Sequence, residues 1–381
     1  MSQFRIQEEV LTALARPAAD GFTVESSPRP YKVDFYKGDG AGDRLSVELL
    51  KEDSPLLVID KNIYEHYLSE SESIKDIPTL IIEASEETKS INTVLEIIEF
   101  MEEQEVTKAS MLYIVGGGIL QDLGAFACYM FKRGVAWTFV PTTLLAQCDS
   151  SVGGKTALNH KKTKNLLALF SAPRRIIIDA GFLATLAKND WLSGAGEMFR
   201  LSITGGPDFL DVFEEEIDAF LNNDMSATIR MTASSLSAKK AVVEFDEFEL
   251  DLRRSMNYGH SFGHALEALS VYKIPHGTAV TIGILVENEI SYRRQLLPKD
   301  ERNRLMQLGK KIIPVESVDI FRDTALDGVL DLLKRDKKTI GTVLKLATLE
   351  RIGQIRFLDF SLDAEGEQEL RSAVDEVLEI L

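Results

Sequence analysis

The chain has 381 residues, 45% hydrophobic and 27% charged, with a net charge of −17. So acidic a chain argues against non-specific nucleic-acid binding, and one this long predicts two compact units. The two cysteines, Cys128 and Cys148, supply no disulfide framework and no thiolate zinc site. A reducing, cytoplasmic setting is therefore expected. The opening MSQFRIQEEV lacks the apolar stretch of a signal peptide, and no apolar run reaches the ~18 residues of a membrane span.

The first fifty or so residues predict short strands punctuated by Pro and Gly. From position 55 the pattern is α/β: SPLLVIDKNI, PTLIIEAS, SMLYIVGGG, VAWTFVPTT and RRIIIDAGFL are strands, while SINTVLEIIEFMEEQ and LQDLGAFACYMFKRG are helices. Such alternation predicts a parallel sheet with both faces covered. From about 186 onward, through the segments after 300, the apolar period is helical. The expected architecture is an α/β N-terminal domain (1–185) and an all-α C-terminal domain (186–381), with the site between them.

Three stretches carry chemistry. Gly116, Gly117 and Gly118 close a strand and open a helix that contains Asp122, so backbone amides there can approach a phosphate. The plain alternative is a tight turn. The segment 141–165 (PTTLLAQCDSSVGGKTALNHKKTKN) reads as a loop of small residues and hydroxyls (Thr142, Thr143, Ser150, Ser151) with Lys155, Lys161, Lys162 and Lys164. Such a loop can hold phosphate or carboxylate, or can simply be a solvated basic loop.

Three of the five histidines, His260, His264 and His276, fall within NYGHSFGHALEALSVYKIPH. His260 and His264 share a helical face, and Pro275 lets the chain return His276 towards them. Imidazole is the commonest metal ligand, and a catalytic zinc takes three protein ligands plus one open position. Glu197 and Arg200 lie three apart on a predicted helix, and a carboxylate can complete such a set. In isolation Glu197 is one acid among many.

In this order the motifs VPTTLLAQCDSSVGGKT, Lys164-Asn165, NYGHSFGHALEA and PHG resemble the sugar phosphate cyclase family, on its 3-dehydroquinate synthase branch, over roughly residues 55–355. The resemblance implies a dinucleotide-binding first domain, a metal-binding second domain, bound NAD and a divalent metal, zinc or alternatively cobalt. It places metal ligands at Glu197, His260 and His276. It places NAD contacts at Asp60, Asn62, Glu86, Lys89, Gly116, Gly117, Gly118, Asp122, Thr142, Thr143 and Lys164. Substrate contacts fall on Asp149, Lys155, Asn165, Arg200, Lys239, Arg253, Asn257, His264 and one of Lys337 and Lys338. Of these His264, Lys155, Asn257, Arg253 and Lys239 are the catalytic candidates. Arg133 matches an arginine that reaches the neighbouring subunit's substrate, which implies a homodimer.

The implied reaction turns a seven-carbon keto-sugar acid phosphate, 3-deoxy-arabino-heptulosonate 7-phosphate or a close analogue, into a carbocycle with loss of phosphate. Two departures from the family pattern bear on the substrate. Arg200 stands where lysine is usual, and Thr278 stands where a glutamate is usual. A forked, planar guanidinium is not equivalent to an ammonium at a crowded site. Alternatives are a specialised cyclase of sedoheptulose 7-phosphate or an amino analogue, and a metal-dependent polyol dehydrogenase of the glycerol dehydrogenase group.

Overall fold

The computed structural model describes residues 1–38, 40–161, 163–336 and 338–381; Lys162 and Lys337 lie outside the described residues. The chain opens on β1 (Ser2–Ile6) and β2 (Glu9–Ala13), an antiparallel pair. Seven of the next nine strands, β3 (Gly21–Val24), β4 (Tyr31–Tyr36), β5 (Pro55–Asp60), β6 (Thr79–Ile82), β7 (Met111–Gly116), β8 (Ala136–Pro141) and β11 (Arg175–Asp179), form one sheet in the order β3-β4-β11-β8-β7-β5-β6. Every pairing in it is parallel except β3 with β4. Its inner strands are continuous apolar runs, such as LLVI, LYIV and WTFV, because both faces are buried. β9 (Lys155–His160) and β10 (Thr163–Phe170) form a separate antiparallel hairpin where a loop is expected. The physical reason is that β10 is largely exposed and lacks the buried alternation that marks a strand.

The chain folds into two compact units. One comprises Pro17–Leu186 with Ala219–Ala233 and holds the seven-stranded sheet. The other comprises Met1–Arg16, Ala187–Asp218 and Ser234–Leu381. The second is helical as expected, and it also carries a five-stranded sheet that an all-α description omits. β12 (Thr339–Ile340), β13 (Val343–Arg351) and β14 (Gln354–Ser361) continue through β1 to β2. Residues 1–16 therefore belong with the helices and not with the α/β domain. β1 runs parallel to β14, with Arg5 opposite Gln354, and Phe4, Ile6 and Leu11 pack with Leu201, Phe209, Val242 and Met256. The segment 343–361, expected to be helical, is a hairpin whose VLKLATLE alternates exposed and buried residues at its start.

At the centre of this unit lies the helix His276–Arg293, buried from Gly277 to Ser291. A helix buried on all sides is one surrounded by other elements, and this one carries Glu287, Asn288 and Glu289 into the interior. No helix among the described residues is long and apolar enough to cross a membrane.

Candidate metal centre and cofactor loops

Three helices of the second unit each deliver one candidate ligand beside a glycine. Glu197 follows Gly196 in the helix Lys188–Gly205, His260 follows Gly259 at the start of the helix His260–Leu269, and His276 precedes Gly277 at the start of the central helix. A Cβ on Gly196 would sit 2.1 Å from the Gly277 carbonyl oxygen, and one on Gly277 would sit 1.8 Å from that of Ser193. Gly259 adopts φ 78°, and a Cβ there would meet Ile284 at 2.5 Å. Only glycine permits these backbone approaches. Both histidines thus stand at helix N-termini; the His276 helix meets the Glu197 helix closely, and the His260 helix meets the central helix closely.

The geometry fits a candidate cation site. Glu197 Oε1 lies 3.2 Å from His276 Nε2 and 3.5 Å from His260 Nε2. The other ring nitrogens are already committed: His260 Nδ1 donates to the Tyr258 carbonyl at 3.1 Å, and His276 Nδ1 donates to Glu267 Oε2 at 3.1 Å. Such outer contacts fix the tautomer and leave Nε2 for the metal. Glu197 is fully buried, and its Oε1 receives no hydrogen bond of proper geometry. A buried carboxylate oxygen without a donor, facing two imidazole nitrogens, fits a divalent cation.

His264 stands one turn on from His260. The three imidazoles have ligand atoms within 4.8 Å of one another, and His264 is the exposed member. The residues thus fit either Glu197, His260 and His276 or the three imidazoles.

The electrostatics follow from burial and neighbours. Burial, together with Arg200 and the adjacent rings, lowers the His260 pKa to about 3 despite Glu197, so its imidazole is neutral. Burial disfavours charge on His276, but the Glu197 and Glu267 carboxylates outweigh it and raise its pKa to about 10, so a cation bound at Nε2 would displace a proton. Burial would also raise Glu197, yet Arg200, His260 and His276 hold it well below the ordinary carboxylate range. The same carboxylate accepts at Oε2 from Arg200 Nε at 2.5 Å.

Sequence reasoning alone misses Glu267 and Glu287. Glu267 lies three residues beyond His264 on the same helix, and that spacing is the available signal. Glu287, fully buried, accepts from the Gly259 amide at 2.8 Å and so supports the turn before His260. No motif marks it.

Other expected substrate residues of this unit are placed as follows. Lys338 Nζ donates to Ser261 Oγ at 2.5 Å, and Asn257 Nδ2 to the Arg254 carbonyl at 3.0 Å. Lys239 and Arg253 are buried. The loop before Arg253 is organised by Asp246, which accepts from the amides of Leu250, Asp251 and Arg253 at 2.8–3.0 Å.

In the unit with the seven-stranded sheet, Asp60, Gly116 and Thr142 fall at or just past carboxyl ends of parallel strands, the ordinary ligand edge of such a sheet, while Asp122 lies in the helix Gly118–Met130 and Lys164 on β10 of the hairpin. Asp60 ends β5 and accepts from the Asn62 amide at 2.9 Å. Gly116 ends β7, and its carbonyl accepts from the Thr142 amide at 3.0 Å. Gly117 caps the helix Gly118–Met130, and a Cβ on it would press on Thr143 at 3.1 Å. Lys89 Nζ joins Asp122 Oδ2 at 2.6 Å to Asn165 Oδ1 at 2.8 Å. Burial pushes Asp122 up to about 6 although Lys89 draws it down. Glu86 holds Asn159 at 2.9 Å and lies 3.7 Å from Lys164 Nζ. Asp149 sits in the helical turn Ala146–Ser150, and Lys155 opens β9. Arg133 occupies an exposed turn at φ 63° and, among the described residues, joins none of these groups.

The 3-dehydroquinate synthase N-terminal pattern matches residues 79–193, and the C-terminal pattern matches residues 194–339. A 3-dehydroquinate synthase of Dictyoglomus turgidum is 31% identical over 338 residues, 88% of this chain and 94% of that protein. The chain belongs to the 3-dehydroquinate synthase family. Among solved structures, a 2-deoxy-scyllo-inosose synthase complexed with carbaglucose-6-phosphate, NAD+ and Co2+ shares the fold at TM-score 0.80 and 21% identity. That match covers 94% of this chain and 99% of the other. The 2-epi-5-epi-valiolone synthase of Streptomyces hygroscopicus subsp. jinggangensis 5008, with NAD+ and Zn2+ bound, does so at TM-score 0.73 and 24% identity, covering 92% of this chain and 97% of the other. The family is thus one of enzymes whose α/β and helical units are both found in this chain.

Proposed function

We propose that this chain is a carbon–oxygen lyase that eliminates phosphate from a seven-carbon keto-sugar acid phosphate and closes a carbocycle. The substrate is 3-deoxy-arabino-heptulosonate 7-phosphate or a close analogue. The observation that carries the reading is the buried Glu197 Oε1, without a donor and facing the Nε2 atoms of His260 and His276. These three side chains would hold zinc or cobalt, and the Gly116–Gly118 turn with Asp60, Asn62, Glu86, Lys89, Asp122, Thr142, Thr143 and Lys164 would hold NAD. When bound, the metal acidifies a substrate hydroxyl and NAD takes up and returns its hydride. The name of the Dictyoglomus relative and the NAD+ and metal in the two solved structures support the assignment.

The remaining residues bind and orient. Lys155, Lys239, Arg253 and Lys338 offset the phosphate and carboxylate charges, which an acidic chain must do locally. Asp149, Asn165 and Asn257 orient hydroxyls, and His264, exposed beside the ligand pair, moves a proton at the substrate. Arg133 would act on the substrate of the partner in a homodimer. Arg133→Ala chains should regain activity when mixed with chains carrying Lys155→Ala, and no rescue would count against a shared site.

One pair of residues favours a second reading. Arg200 and Thr278, whose buried Oγ1 has no hydrogen-bond partner, differ from the family pattern and fit a specialised cyclase of sedoheptulose 7-phosphate or an amino analogue. Phosphate release from a panel of seven-carbon keto-sugar phosphates separates the two. Release that requires the C1 carboxylate supports the first, and release from sedoheptulose 7-phosphate supports the second. Steady NADH accumulation from a simple polyol without phosphate release would point instead to a polyol dehydrogenase.

A further inference from the structure

Arg200 is among the most deeply buried large side chains of the protein, 2% exposed, and it stands three residues from a carboxylate that is 0% exposed. Its Nε donates to Glu197 Oε2 at 2.5 Å, and its Nη1 approaches the Met256 sulfur at 3.4 Å. The guanidinium is therefore engaged along one edge by a ligand carboxylate and covered on another by a thioether, a weak acceptor that no anion resembles. Glu197 is left with two different oxygens. Oε2 is held by a charge-assisted hydrogen bond, and Oε1 faces His260 and His276 without a donor.

We propose that Arg200 is a positioning residue for the metal ligand Glu197, restricting it to one-oxygen ligation through Oε1, and that it does not contact the substrate's anionic groups. This rests on the metal reading above. A free carboxylate can close on a divalent cation with both oxygens and use two coordination positions. A catalytic site needs a position left for substrate. The charge-assisted hydrogen bond from Arg200 keeps Oε2 occupied, and its charge compensates a carboxylate buried out of water. A guanidinium suits the task because its Nε–H has a fixed direction, whereas an ammonium is a point charge on a flexible stem. The arginine at this position, in place of the family's usual lysine, thus acts through the ligand.

The test is cobalt binding to the full chain, stripped of metal and without substrate, followed by the visible d–d absorption of Co2+. Arg200→Met should weaken Co2+ binding by about 10-fold or more, the range for outer-shell partners of metal ligands. It should also lower the absorptivity, because a second carboxylate oxygen raises the coordination number. Arg200→Lys keeps the buried charge and guards against a variant that fails to fold. It should bind Co2+ within about threefold of the parent, a difference of roughly 0.7 kcal/mol, but with a shifted band. If both variants bind Co2+ with the parental constant and spectrum while losing affinity for inorganic phosphate, Arg200 is a substrate contact and the proposal is wrong. A parent chain that takes up no Co2+ would overturn the metal reading itself, and this inference with it.

Discussion

Gly196 and Gly277 meet backbone to backbone where the Glu197 helix passes the central helix, with room for no Cβ on either. Glu197 and His276 are their immediate chain neighbours, so this contact sets the 3.2 Å approach of the two ligands. The candidate metal centre is thus placed by helix spacing as much as by the side chains that would hold the ion. Gly196→Ala should part the helices, cost about 1–3 kcal/mol of stability as overpacking does, and weaken Co2+ binding. A denaturation midpoint and a cobalt titration check both, and a variant with parental values in each would refute the spacing argument.

The two candidate ligand sets separate cleanly. His260→Ala should abolish both metal uptake and turnover. His264→Ala should keep one metal per chain, by elemental analysis, and lose roughly 100-fold or more in turnover, the scale of a lost acid–base group. Loss of metal from the His264 variant would instead favour the three-imidazole set.

Lys89 ties Asp122 to Asn165 with two short contacts in the sheet-bearing unit. Lys89→Met leaves a buried carboxyl without its cation and frees the Asn165 side chain. NAD affinity, read by calorimetric titration, should fall about 10-fold, or 1.4 kcal/mol. Unchanged NAD affinity would remove this trio from the cofactor site.

Burial raises Glu287 from an ordinary 4.5 to about 8, with the Gly259 amide, Lys338 and the Phe262 amide opposing. The folded state therefore binds a proton that the unfolded chain releases above pH 4.5. Stability from this group is complete below pH 4.5 and is lost as pH rises towards and through 8. Glu287→Gln should flatten that slope and gain roughly 3 kcal/mol at pH 7 from the removed ionisation. Parallel stability–pH curves for parent and variant between pH 5 and 9 would show that Glu287 does not titrate there.

Much of the layout of this candidate centre was legible in the chain. The runs GAGE, YGHSFGH and PHG place a glycine beside each ligand, and the i,i+4 histidines fix their shared face. What was not legible depends on distant partners. Arg200 three residues from Glu197 reads equally well as a substrate cation, because whether its guanidinium turns to that carboxylate is decided by packing against the distant Met256. β13 and β14 sit among helices, and only pairing makes their short alternation a sheet. β1 could not be assigned to the helical unit, since nothing local in SQFRI announces a neighbour in QIRFLDFS.

That last pairing has a bearing on how the molecule is made. Arg5 leaves the ribosome long before its strand partner Gln354 does. The sheet-bearing unit can collapse while translation continues. The five-stranded sheet of the helical unit must wait, with the β14-facing edge of β1 unpaired until residues 354–361 arrive. The interval before that pairing forms leaves a strand edge open to aggregation, and slowing elongation would lengthen it.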